Sequence, residues 1–270
     1  MDTILANRSS KQLLRALEDN MVAFWKVYGC GPGGTLHDSA ELMYYISGSP
    51  IMLFNGMMGA HLSVEGADEA IDEACQACIR AQVPALWWVG PEATPKDLGA
   101  RLEAHSFTPG GATPGMAIDL DKLQELRPLA PGVTVKRVSD TETIQPWAET
   151  GWVATGFPAE TAGLFTEIET QLGIDSSGMR RRYAGYWNGK LVGTSVLVLD
   201  AGVAGIYAVS TLPEARGHGV GTALTLLPLR EAYAAGYRVG TLQASEMGYP
   251  IYRKLGFQEV CQFNMYLWEQ

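Results

Sequence analysis

Three glycines in five residues, Gly217, Gly219 and Gly221, stand between a strand-like run that ends at Leu212 and a helix-like run, ALTLLPLREAYAAG. That is the composition of an anion cradle. Glycine accepts positive φ and lets a ligand come close to the main chain. The first amides of a helix have no partner within it and point forward, and the helix dipole adds partial positive charge at the same place. Residues 209–222, VSTLPEARGHGVGT, therefore predict a site for a phosphate or pyrophosphate. Spacing excludes two common phosphate loops. No Lys follows the last glycine, as a P-loop requires, and G-x-G-x-G is not the G-x-G-x-x-G of a dinucleotide fold.

The loop does satisfy R-x-x-G-x-G, from Arg216 to Gly221. In this it resembles the coenzyme A pyrophosphate loop of the GNAT N-acetyltransferase superfamily. A second stretch, LQASEMGYPIYRKLGF at 242–257, resembles the next strand of that family and the helix after it, which carries Y-x-x-L-G-F from Tyr252 to Phe257. The resemblance covers about the last half of the chain. It implies an α+β GNAT fold, a central, mostly antiparallel, splayed sheet flanked by helices. It also implies acetyl-CoA as co-substrate, no metal, and transfer of an acetyl group to a primary amine of a small molecule or peptide by direct attack. The alternative is a non-catalytic acyl-CoA-binding sensor or scaffold.

Residue roles follow from the resemblance. The amides of Gly217, His218, Gly219, Val220, Gly221 and Thr222 would hold the pyrophosphate, with the Arg216 side chain touching phosphate. Val209, Ser210 and Thr211 would lie along the pantetheine arm and bond its amides like an added strand. Tyr252 would protonate the leaving thiolate; an ordinary Tyr, with a pKa of about 10, is a usable acid near neutral pH and a poor base. Tyr249, one turn earlier, competes for that role. Ser245 either bonds the coenzyme or an ordered water, or caps the next helix. Glu246 is either a general base or amine-recognition group, or an exposed acid of the first turn. Arg253 and Lys254 either meet the ribose phosphate or form a solvated face. The motif places no cysteine at the cradle, so a covalent acetyl-enzyme has no support.

A chain of 270 residues allows one large or two ordinary domains. With 47% hydrophobic and 18% charged residues it can bury a core, and its net charge of −9 argues against nucleic acid as a partner. The acidity suits a cationic substrate such as an amine, or simple solubility. The first twenty residues carry charges throughout and no apolar segment, so the expectation is a cytoplasmic protein without a secretory signal. No run is long and apolar enough to span a membrane. Cys75 and Cys78 form a C-x-x-C, but they share one stripe of a helical pattern with Ile71, Ala74 and Ile79, which reads as core packing.

Helical periodicity predicts a helix from Ser9 to Tyr28, capped by Ser9 or Ser10. A glycine-rich connection follows over 29–39, then two strands, ELMYYISG and PIMLFNGMM, around Gly48-Ser49-Pro50. A helix at 67–82, the strand ALWWVG, a helix at 97–105 and a strand-rich region to MAIDLDKL complete the first half. The second half predicts a strand VTVKRV, helices at 141–155 and 158–173, and three antiparallel strands turning at Asn188-Gly189 and 200–202. After these come the cradle helix, the strand TLQAS, the tyrosine helix and a closing hairpin. Pro228 inside the cradle helix predicts a kink near 224–227 or an early end.

Setting Phe107 against Phe257 aligns the two halves and suggests a duplication. The first copy lacks R-x-x-G-x-G, and Leu102 stands where Tyr252 stands. The expected division is a degenerate GNAT-like domain at 1–125 and a catalytic GNAT domain at 126–270, with one active site per chain. The aromatics Trp147, Trp152, Phe157 and Phe165 are candidates for an apolar acceptor pocket or for core. The closing FNMYLWEQ is apolar on both faces, which suits a domain contact or a homodimer contact.

Overall fold

The computed structural model describes residues 10–125 and 129–269; Ser9, proposed above as a cap, lies outside the described residues, as does the centre of the inter-domain segment. In chain order the elements are α1 (Ser10–Lys26), β1 (Thr35–Asp38), β2 (Met43–Ile46), β3 (Asn55–Met58), α2 (Ala67–Ala81), β4 (Ala85–Val89), α3 (Leu98–Ala104) and β5 (Thr108–Asp119). They continue with β6 (Val133–Arg137), α4 (Ile144–Ala154), α5 (Ala162–Leu172), β7 (Arg180–Trp187), β8 (Lys190–Asp200) and β9 (Val203–Thr211). The last four are α6 (Val220–Ala234), β10 (Val239–Gln243), α7 (Tyr249–Lys254) and β11 (Gln258–Trp268). No helix among the described residues is long and apolar enough to cross a membrane.

The chain forms two compact units, and they are not divided at a single point. One comprises Met116–Gln258; the other comprises the described residues up to Gly115 together with 259–269. Strand β5 passes from one unit to the other, and β11 closes the unit built by the first half of the chain. The expected C-terminal hairpin is therefore one long strand, β11, paired antiparallel with β4 from Asn264↔Val89 to Trp268↔Ala85. With β5 on its other side, β11 is an interior strand. This accounts for apolar residues on both its faces, Phe263 and Trp268 among the buried ones.

In the unit built by the first half, β1, β2 and β3 are antiparallel neighbours, and β3 runs parallel to β4 through Gly56↔Leu86 and Met57↔Trp87. Its core holds Met57, Ile71, Trp87, Leu98, Leu102 and Trp268. Cys75 and Cys78 are free and buried in it, as their stripe predicts, and burial pushes their thiols up to about 11 and about 12. Two local expectations change. The glycine-rich connection contains the short strand β1, and Met52–Phe54, read as strand, is a 3₁₀ turn leading into β3.

In the Met116–Gln258 unit, β6, β7, β8 and β9 are successive antiparallel neighbours and β10 joins β9 in parallel. The Asn188-Gly189 turn has both residues at positive φ, 49° and 80°, as a two-residue hairpin of matching twist requires. The core lies between this sheet and α6, with Leu197, Leu199, Leu224, Leu229, Leu242 and Phe257 at its centre. Helix α6 runs unbroken from Val220 to Ala234 through Pro228, so it does not end early. The proline has no N–H to bond the Leu224 carbonyl; the buried Ser195 hydroxyl donates to that carbonyl instead, at 2.8 Å. Both units thus repeat one order: three antiparallel strands, a helix, a parallel fourth strand and a short helix.

Candidate active site

The site starts from a fault in strand β9. Thr194↔Ser210 and Val196↔Tyr207 are partners across β8 and β9, so β9 carries one residue more than β8 between them. The surplus falls at Ala208, which is exposed and held at φ 49°. A non-glycine residue there is a bulge held by its surroundings. Thr194 holds it: its hydroxyl bonds the Ala208 carbonyl at 3.1 Å and the Ser210 hydroxyl at 2.7 Å. On its other side β9 pairs with β10 only at Ala204↔Gly240 and Gly205↔Thr241. Beyond Gly205 no further register pair joins the two parallel strands among the described residues. Val209 packs partly buried on the core, and Thr211 is half-buried at the end of the strand.

The cradle follows directly. Leu212 is tied back to Val192, N–H to carbonyl, at 2.8 Å, and a 3₁₀ turn, Pro213–Ala215, reverses the chain. Gly217 and Gly219 take φ of 80° and 82°, and α6 begins at Val220. A Cβ at Gly219 would stand 3.1 Å from the Ala130 methyl, whereas one at Gly217 would meet nothing within 4 Å. The first-turn amides, Val220 to Thr222, have no partner inside the helix. No acidic residue stands in that turn. The coenzyme expected here is a polyanion with an extended, amide-bearing arm, and the glycine turn and the end of β9 stand side by side.

The Arg216 guanidinium is already engaged: Nε donates to the Thr211 carbonyl at 3.1 Å, and an Nη to the Ala154 carbonyl, at the end of α4, at 3.2 Å. It fastens the cradle to β9 and α4. His218 is exposed and stacks on Trp187 with ring centroids 4.0 Å apart.

Tyr252 stands on α7, 8% exposed, edge-on to Phe257 at 5.7 Å. Its ring lies against the main chain at Gly248, where a Cβ would be 2.8 Å from the ring. Burial pushes the phenol up to about 12, with the Thr225 hydroxyl of α6 offsetting part of the rise. Thr225 is wholly buried and donates to the Gly221 carbonyl at 2.9 Å.

Ser245 accepts from the Gly248 amide at 3.2 Å, in the turn before α7, whose N-cap is Gly248 itself. Glu246 is exposed beside it, and Tyr249 packs partly buried on the core. Arg253 reaches back to the Phe257 carbonyl at 3.4 Å, and Lys254 is exposed. Of the candidate acceptor aromatics, Trp147, Trp152 and Phe165 are core, while Phe157 is 39% exposed and stacks on Trp152 at 4.3 Å. Sequence reading also missed a buried ion cluster: Glu169 of α5 takes Arg182 at 2.6 Å and Arg180 at 3.0 Å.

Among the described residues, the other unit lacks each part of this arrangement. Past its parallel pair, β3 and the chain after β4 are joined again: the Thr94 amide donates to the Ala60 carbonyl at 3.0 Å and the Leu62 amide to the Thr94 carbonyl at 3.1 Å. Helix α2 begins with Asp68 and Glu69, carboxylates that repel an anion at its N-terminus. The carboxyl of Glu18, 4% exposed, abuts Gly90 just past β4. Leu102, on the helix equivalent to α7, is buried in the core.

The acetyltransferase (GNAT) domain family matches residues 199–260. No curated protein sequence matches the chain. Among solved structures, the fold is similar to that of a GCN5-related N-acetyltransferase from Kribbella flavida, with a TM-score of 0.70 at 15% identity over 94% of this chain and 96% of that one. It is similar to a tandem GNAT protein from the clavulanic acid biosynthesis pathway, with a TM-score of 0.61 at 16% identity over 97% and 95%. It is also similar to a GCN5-related N-acetyltransferase from Sphaerobacter thermophilus, with a TM-score of 0.61 at 17% identity over 98% and 93%. The cradle, strands β9 and β10 and the helix bearing Tyr252 all fall within the stretch that matches the acetyltransferase (GNAT) domain family, and the whole chain has a fold shared with GCN5-related N-acetyltransferases, a tandem GNAT protein among them.

Proposed function

We propose that the Met116–Gln258 unit is an acetyl-CoA-dependent N-acetyltransferase acting on a primary amine of a small molecule or peptide, and that the other unit is a degenerate copy without chemistry of its own. The observation that carries this reading is the parting of β9 and β10 beside a glycine cradle, with Tyr252 on the next helix. The amides of Gly217 to Thr222 hold the pyrophosphate. The main chain of Val209, Ser210 and Thr211 bonds the pantetheine amides, since its partner strand has turned away. Arg216 shapes the cradle through the Thr211 and Ala154 carbonyls and lends its charge to the phosphates. The amine attacks the thioester carbon directly, and Tyr252 gives its proton to the leaving sulfur. Ser245 holds the turn before α7 through the Gly248 amide, and Glu246 stands exposed where an amine would enter.

The test is thiol release from acetyl-CoA across amines, amino acids, polyamines and aminoglycosides, for the wild type and Tyr252→Phe. A positioned proton donor is worth ~10²–10⁴-fold, so turnover falls in that range while KM for acetyl-CoA hardly moves. Near-normal turnover removes Tyr252 from the mechanism. Coenzyme binding by calorimetry with no thiol release from any acceptor points instead to an acyl-CoA sensor.

A further inference from the structure

Two glycines at positive φ, Gly217 and Gly219, flank His218, so the cradle turn is poorly confined by its own residues. Its amides must nevertheless stand in one arrangement to hold a pyrophosphate. His218 carries the single side chain between Arg216 and Val220. It is exposed, yet its ring lies flat on Trp187, with centroids 4.0 Å apart and the planes 20° from parallel. Trp187 is firmly seated. It ends β7, pairs with Val133 of β6 and with Lys190 of β8, and rests half-buried against the core. The segment before β6 completes the same wall. The Asn188 amide donates to the Gly132 carbonyl at 2.9 Å, and a Cβ at Gly132 would stand 3.7 Å from the Trp187 ring. Gly219, next after His218, is so close to this segment that a Cβ there would stand 3.1 Å from the Ala130 methyl. One wall thus meets the turn at two successive residues.

We propose that Trp187 is a positioning residue for the cradle: through the stacked ring of His218 it holds the turn from Gly217 to Gly219 in its binding shape before the coenzyme arrives. This rests on the reading of the cradle as the pyrophosphate site. Fixing a glycine turn costs conformational entropy, and freedom already lost in the free protein is not lost again on binding. An aromatic pair is worth about two- to tenfold in an equilibrium constant. His218 gives its main-chain amide to the ligand and its ring to Trp187, so the ring acts by stacking and not by charge. Phe at either position keeps a ring in place, and Ala at either position removes the stack. The effect is confined to the part of the coenzyme that the turn holds. The thioester and the pantetheine arm, set along Val209 to Thr211, lie outside it.

The experiment measures Kd for acetyl-CoA by calorimetry on the full chain. It also measures Kd for acetyl-pantetheine, which has the thioester and the arm but no pyrophosphate, by competition in the same titration. The variants are Trp187→Ala, His218→Ala, the two together, Trp187→Phe and His218→Phe. Each alanine variant is expected to raise Kd for acetyl-CoA by about two- to tenfold, and the double variant by no more than either alone, because one stack is lost in all three. Both phenylalanine variants are expected to stay within about twofold of the wild type, and acetyl-pantetheine to bind all the proteins alike. Additive losses in the double variant, or an unchanged Kd in Trp187→Ala, overturn the inference while the cradle reading stands. So does a loss in His218→Phe equal to that in His218→Ala, which makes the imidazole a direct phosphate contact. Equal weakening of acetyl-pantetheine by Trp187→Ala makes Trp187 a residue of general packing and overturns it too. If Trp187→Ala does not fold, or acetyl-pantetheine is too weak to compete, the two His218 variants and Trp187→Phe still decide. No binding of acetyl-CoA by the wild type overturns the cradle reading and this inference with it.

Discussion

Ser195 belongs to neither motif, yet it fills the bond that Pro228 vacates in the cradle helix. Removing it leaves the Leu224 carbonyl buried and unbonded, which costs about 1–3 kcal/mol. Ser195→Ala is therefore expected to lower the unfolding free energy of the unit by that much, measured by denaturant unfolding, with the proline in place. Glu18 offers a second test in the other unit. Its carboxyl is buried and has Asp19 and Glu92 as acidic neighbours; burial first, then the Asp19 charge, pushes it up to about 7, against the opposing pull of the Glu92 main chain. Its folded pKa lies above its ordinary value, so the folded state binds more protons than the unfolded one. The stability this confers is complete below about 4.5 and is lost as pH rises through about 7. Glu18→Gln, neutral at every pH, is expected to flatten the melting temperature between those two values and to melt above the wild type at pH 8. A wild-type melting temperature that does not fall across that window contradicts the assignment. Neither residue was legible beforehand. A lone Ser on a strand and a Glu within a helical pattern carry no mark of what they will face.

At the scale of elements, the cradle was legible because glycine at positive φ and an unpartnered helix start are local properties, written in residues 217–221. The Asn188-Gly189 hairpin and the amphipathic α1 and α2 were legible for the same reason. The bulge at Ala208 was not, since alanine is no signal for φ 49°. It is imposed by the register of β8 and by Thr194. Because that bulge opens the edge of β9, a β-branched residue there tests its role. Ala208→Val, which resists left-handed φ, costs about 1–2 kcal/mol in that conformation. It is expected to raise the coenzyme Kd about tenfold by calorimetry, and an unchanged Kd would show that the bulge does not shape the site. The path of β11 was half legible. Its two apolar faces announce an interior strand, but the pairing with β4 is a long-range choice that no local pattern encodes.

At the scale of the whole molecule, two units share one order of elements and differ at the places where coenzyme chemistry needs them to differ. One leaves β9 and β10 apart beside a glycine cradle free of acids; the other rejoins its strands through Thr94 and begins α2 with Asp68 and Glu69. The sequence comparison of halves had suggested this asymmetry from the missing R-x-x-G-x-G and from Leu102, and the main-chain bonds at Ala60, Leu62 and Thr94 supply a physical reason for it. The account therefore stands or falls on how many coenzymes one chain binds. Calorimetric titration of the full-length protein with acetyl-CoA is predicted to give one site per chain, lost in Gly219→Val, where a branched side chain would collide with Ala130 and force φ out of the left-handed region. Two sites per chain, no binding at all, or one site that survives Gly219→Val would contradict it.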